Sequence, residues 1–151
     1  MNLRKILTNR KGFTLMEIIV VLIIIAVLAA ALIPSFVGFI RDSRSATAIN
    51  QARMGMNAAQ VLVTEAQGQT PPQAPSTVAG TYSAAEAGAV TATMNQARFW
   101  QLVRDDVDPA GVFVIGTGDF EGTRITGLQY TGAGFVVTIT GGRANAVPVS
   151  P

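Results

Sequence analysis

The chain contains no cysteine and no histidine. Without cysteine there is no disulfide framework, no thiolate nucleophile and no thiolate metal ligand; the compartment stays open, because many exported proteins lack disulfides. Without histidine the commonest general base and the commonest transition-metal ligand are both gone. Catalysis would have to rest on carboxylates alone, and the sequence reads as that of a protein that is not an enzyme. Charge is scarce too: 13% of the residues are charged and 49% are hydrophobic, against about 25% charged in an average soluble domain.

The charge that is present is unevenly placed. The formal net charge is +2, yet Arg4, Lys5, Arg10 and Lys11 all lie within the first 12 residues. The remainder holds 7 basic against 9 acidic side chains. It offers no broad basic surface, which argues against a nucleic-acid partner. Phe99, Trp100 and Tyr130 would suit a base-stacking platform on a basic surface. Without flanking lysines they read as core aromatics.

From Phe13 to Ile33 there are 21 residues, of which only Glu17 is charged. As a helix this run rises about 31 Å, the thickness of a bilayer's hydrocarbon core. The positive charges before it place the N-terminus in the cytoplasm and the remainder outside. Pro34 ends the run and is expected to kink the helix rather than stop it. Beyond it, Ile49, Ala52, Met56, Ala59 and Val63 recur at helical spacing, one apolar stripe of an amphipathic helix. Met54 and Met56 are assigned to helix packing.

These features divide the chain into a leader over 1–12, a long bent helix over 13–66 with 13–33 spanning the membrane, a linker loop over 67–82, and a C-terminal region over 83–151. In the last, helical character runs from about Ser83 to Asp106, with Met94, Ala97, Phe99, Trp100 and Val103 as core contacts. Nine of the 15 glycines then fall between Gly111 and Gly142, interleaved with β-prone runs at Val112–Ile115, 124–130 and Phe135–Thr140. Thr131-Gly132-Ala133-Gly134 is read as a hairpin turn, Gly116-Thr117-Gly118 as a loop, and 141–151 as a polar tail. About 70 residues without disulfides are marginal for a core of their own. The sheet is therefore expected to pack on the helix stripe, an α+β fold with a small antiparallel β-sheet.

Glu17 sets the functional problem. A carboxylate within an apolar span costs about 2.5–3.5 kcal/mol on insertion-based scales, and intramembrane acids are usually paired. No lysine, arginine or histidine lies in this segment. An ordinary secretory signal, for which Ala29-Ala30-Ala31 offers an A-x-A site, has an uncharged apolar region and does not account for the acid. Cutting after Gly12 does. It gives Phe13 a free α-ammonium four residues from Glu17, and in a bundle of such helices each acid can neutralise the amine of an axially shifted neighbour.

Arg10-Lys11-Gly12-Phe13-Thr14-Leu15-Met16-Glu17, followed by Ile18-Ile19-Val20-Val21-Leu22, resembles the class III leader and N-terminal helix of type IV pilins and pseudopilins. The likeness covers residues 10–40; beyond about residue 66 it is one of architecture. It implies the pilin fold, cleavage between Gly12 and Phe13 by a prepilin peptidase, N-methylation of Phe13, a Glu17–Phe13 assembly pair and a stalk kinked at Pro34. Implied partners are copies of the same chain, the membrane before assembly, an assembly ATPase and a platform protein. Expected localisation is the cytoplasmic membrane, then an extracellular pilus. Other readings are a pseudopilin of a type II secretion or competence machine, or a minor tip pilin that binds a surface or DNA. The chain departs from many relatives in having Ala26 and no glycine within Ile23–Leu28, and in lacking a C-terminal disulfide.

No cofactor is expected. Because major pseudopilins hold calcium in a C-terminal loop, Asp105, Asp106 and Asp108 are calcium candidates, with Asp119 and Glu121 further on. The plainer reading of these acids is a solvated helix end and turn.

Overall fold

The structure is a computed structural model and describes residues 12–88 and 94–149. In chain order the elements are α1 (Leu15–Gln67), a 3-10 turn (Pro75–Val78), β1 (Gly80–Tyr82), α2 (Ala84–Gly88), α3 (Met94–Val103), β2 (Val112–Ile115), β3 (Phe120–Glu121), β4 (Arg124–Ile125), β5 (Gly127–Gly132), β6 (Phe135–Thr140) and β7 (Arg143–Pro148). Five strands form one antiparallel sheet in the order β1-β2-β5-β6-β7, and β3-β4 form a separate small hairpin. The expected α+β fold is present: a long N-terminal helix and a small antiparallel sheet packed on it. Two compact units are distinguished, one ending at Ile40 and one beginning at Arg41.

In the second unit the buried face of α1 consists of small residues: Ala48, Ala52, Gly55, Ala58, Ala59 and Ala66, with Leu62 and Val63. The stripe expected from the sequence is turned slightly. Ala52, Ala59 and Val63 are buried, whereas Ile49 and Met56 are only partly covered and Met54 is exposed. The cause is close approach. The Phe113 ring of β2 lies over Gly55, where a Cβ would stand 2.3 Å from the nearest ring atom. Only a residue without a side chain lets the sheet settle there.

The sheet's inward face follows the two-residue period of a strand: Phe113 and Ile115 of β2, Leu128 and Tyr130 of β5, and Phe135, Val137 and Ile139 of β6 are buried. Four rings run through the core in a chain. Tyr82 meets Phe99 at 4.3 Å, Phe99 meets Phe113 edge-on at 5.2 Å, and Phe113 meets Tyr130 at 4.6 Å. Polar ties lock this core to α1. The Tyr130 hydroxyl donates to Gln51 Oε1 at 2.6 Å. The Gln60 amide donates to the Thr123 carbonyl at 2.8 Å and accepts from the Ile125 N–H at 2.9 Å, holding the β3-β4 hairpin. Each such bond contributes about 1 kcal/mol.

Several elements differ from the sequence reading. The region 83–106 is two helices, α2 and α3; residues 89–93 and the Met94 side chain lie outside the described residues. Ala97 is exposed, while Phe99 and Val103 are buried. The run 124–130 is broken at Thr126 into β4 and β5, which belong to different sheets. The supposed tail contains β7, paired with β6 from Thr140↔Arg143 to Phe135↔Pro148. The linker region ends in β1 at the sheet's edge. The expected β5-β6 hairpin is present, with Ala133 (φ 53°) and Gly134 (φ 81°) at its two turn positions. Positive φ at both is what a two-residue turn needs to match strand twist.

Burial pushes the Tyr82 phenol up to about 12. Burial, and secondarily the charge of Asp108, pushes Tyr130 up to about 12 as well. The fold thus favours the neutral phenols. This stabilisation is complete below the ordinary tyrosine value of about 10 and is lost as pH rises through about 12. These are the chain's only tyrosines, so an absorbance titration reads them alone. Tyrosinate is expected to appear near pH 12 together with loss of the near-ultraviolet circular dichroism. Titration near 10 with the fold intact would contradict the packing described.

Candidate functional site

Gly12, Phe13 and Thr14 are exposed and non-helical, and α1 begins at Leu15. A cap fixes that start. The Glu17 N–H donates to Thr14 Oγ1 at 3.2 Å, as expected of an N-cap threonine in a T-x-x-E pattern. Ile18 is the first residue whose N–H donates four residues back, to the Thr14 carbonyl at 3.3 Å. Sequence reasoning passed over Thr14, although Thr14-Leu15-Met16-Glu17 carries the signal in full. The cap leaves Gly12 and Phe13 on an exposed segment ahead of the helix.

Phe13 is 78% exposed. Glu17 is exposed in the first turn of α1 and makes no ion pair among the described residues. A carboxylate there also faces the positive end of the helix dipole. Around it Leu15, Met16, Ile18, Ile19, Val20, Val21 and Leu22 are all exposed. An 18-residue window of α1 is apolar enough to cross a bilayer, and none of it is buried within the protein. Pro34 lies inside α1, where its missing N–H removes one helical bond. An exposed apolar surface of this extent marks a site of contact with lipid or with other chains. Of the leader, residues 1–11 lie outside the described residues.

Among the described residues the acids of the body do not converge on a site. Asp105 pairs with Arg104 at 3.6 Å on the surface, and Asp106 is exposed beside Leu102 and Met54. Asp108 is committed to the backbone: Oδ1 accepts from the Ala110 N–H at 2.9 Å and Oδ2 from the Ala133 N–H at 3.3 Å. Asp119 accepts from the Gly116 N–H at 2.7 Å. Among the described residues no group of three acids is placed to hold a metal ion. Phe99 and Tyr130 are fully buried and Trp100 partly so, so they form core rather than a stacking surface. A groove of about 310 Å³ lined by Asn57, Gln60, Val61, Thr64 and Glu65 has one carboxylate, and Arg98 engages it at 2.9 Å.

Residues 7–33 match the family model of the prokaryotic N-terminal methylation motif. This motif is the class III leader found in the type IV pilin and pseudopilin family. That leader implies processing by a prepilin peptidase and polymerisation, suggests a structural subunit rather than an enzyme, and, with the apolar helix, fits a precursor anchored in the inner membrane. No curated protein and no solved structure matches the chain.

Proposed function

We propose that this chain is the structural subunit of a type IV pilus. It is inserted with its N-terminus in the cytoplasm, cut between Gly12 and Phe13, methylated on Phe13, and polymerised through α1 into a surface filament. The observation that carries this reading is the carboxylate of Glu17, without an ion-pair partner among the described residues, one turn inside an apolar helix whose side chains are exposed. Each incoming subunit brings an acid and an amine to the helix bundle, and satisfying both sets its axial register. One contact of this kind, repeated about a screw axis, generates an open filament rather than a closed ring. An assembly ATPase and a platform protein supply the extrusion in this scheme.

Electron microscopy of shear-released surface material tests it. Long fibres containing this chain as their main component are expected. Fibres in which the chain is confined to the tip support instead a minor pilin with an adhesive or DNA-binding role, and a chain found only in a short envelope-bound assembly supports a pseudopilin.

A further inference from the structure

We propose that before assembly the bilayer core covers residues 18–40 rather than 13–33, leaving Glu17 and the Gly12–Phe13 bond at the cytoplasmic headgroup layer. The inference rests on the single-pass, N-terminus-in part of the proposed function and adds to it the depth at which lipid meets the helix.

Length does not choose between the two windows: they rise about 31 and about 34 Å, and either crosses a hydrocarbon core of about 30 Å with little tilt. Three observations do choose. The first is charge. The window 13–33 contains Glu17, whereas 18–40 contains no ionisable side chain and is bounded by Glu17 on one side and by Arg41, Asp42 and Arg44 on the other. Arg41 and Arg44 make no ion pair among the described residues, and long basic side chains at a span's end extend naturally to the headgroups.

The second is apolar exposure beyond Pro34. Phe36 is 59% exposed, Val37 65%, Phe39 71% and Ile40 48%. The shorter window would leave these four in water, and the longer one places them among acyl chains.

The third is the backbone. Lipid tolerates no backbone group without a partner. Residues 12–14 are not helical, and Ile18 is the first residue of α1 with an N–H bonded four residues back. Residues before it belong where water can satisfy them. The same placement gives a protease, and the water it consumes, access to the scissile bond.

Because the chain has no native cysteine, single cysteines report depth cleanly. The full-length chain is inserted into dioleoyl phosphatidylcholine vesicles, with a charged maleimide supplied on both faces so that orientation is immaterial. Leu15→Cys, Gly38→Cys, Ile40→Cys and Ser45→Cys are compared; an added Cβ at Gly38 meets nothing within 4 Å. The positions at 38 and 40 are expected to react roughly tenfold more slowly than those at 15 and 45, since the thiolate is the reactive form and apolar surroundings suppress it. Fast labelling at 38 and 40 with protection at 15 would overturn the proposal in favour of 13–33. A chain that fails to float with the vesicles would overturn it by removing the single-pass anchor on which it rests. A chain that inserts as described yet forms no filament in cells would sink the pilus reading while leaving the depth assignment standing.

Discussion

Glu17→Val is expected to leave the chain in the membrane and to reduce surface filaments by roughly thirtyfold or more. Valine removes the one side-chain charge between Gly12 and Arg41, and with residue 17 at the headgroup layer the apolar span over 18–40 that inserts is unchanged. Assembly loses the partner of the Phe13 ammonium. Two unit charges about 4 Å apart attract by about 4 kcal/mol at an effective dielectric of about 20. Losing even half of that, about 2 kcal/mol per added subunit, lowers each addition about thirtyfold. The first turn of α1 is disturbed little, because the cap on the residue-17 N–H comes from Thr14 Oγ1 and the backbone N–H is kept. Glu17→Gln serves as the companion variant: it retains hydrogen bonding but not charge, and is expected to fail as well. Normal filament yield from either variant, measured in sheared fractions beside membrane-fraction controls, would show that the charge pair is dispensable.

Gly12→Leu is expected to block cutting almost completely and to hold the uncut chain at the membrane. A Cβ at Gly12 meets nothing within 4 Å among the described residues, so their packing has no reason to object. Any loss of processing therefore reports the protease's need for a small residue beside the scissile bond. On the proposed orientation the uncut chain keeps Arg4, Lys5, Arg10 and Lys11 on the cytoplasmic side, and it has no ammonium at Phe13 to meet a neighbour's Glu17. Immunoblots should show one slower-migrating species confined to membranes. Mature-sized subunits at the wild-type level would mean that the cut lies elsewhere.

The candidate site could be picked out of the sequence because it is an anomaly. One acid in an apolar run, with no cation between Gly12 and Arg41, needs no coordinates to be noticed. The long helix was legible for the same kind of reason, an apolar block followed by a helical stripe. The phase of that stripe was harder. Gly55 carries no hydrophobic signal, yet the Phe113 ring lies where its Cβ would stand, with Ala48, Ala52 and Ala59 buried beside it and Met56 left at the margin.

β7 was missed because Arg143, Asn145 and two alanines lack strand character; pairing with β6 along its whole length holds it in the sheet. The break at Thr126 was hard to see because Ile125, Leu128 and Tyr130 favour strands, and what separates the two strands is tertiary. Gln60 fastens Thr123 and Ile125 to α1, while Thr126 donates to the Asp119 carbonyl at 2.8 Å and accepts from the Gly141 N–H at 2.8 Å. The three aspartates near α3 were grouped by proximity in sequence. The fold separates their duties, and Asp108 acts as a turn residue bonded to Ala110 and Ala133.

The most direct test is the intact mass of the subunit recovered from sheared filaments. A chain beginning at Phe13 and carrying one added methyl group on its α-nitrogen is the expected result. A subunit that retains Met1, or that begins at any residue other than Phe13, would leave Glu17 without the amine that is meant to neutralise it and would contradict the account.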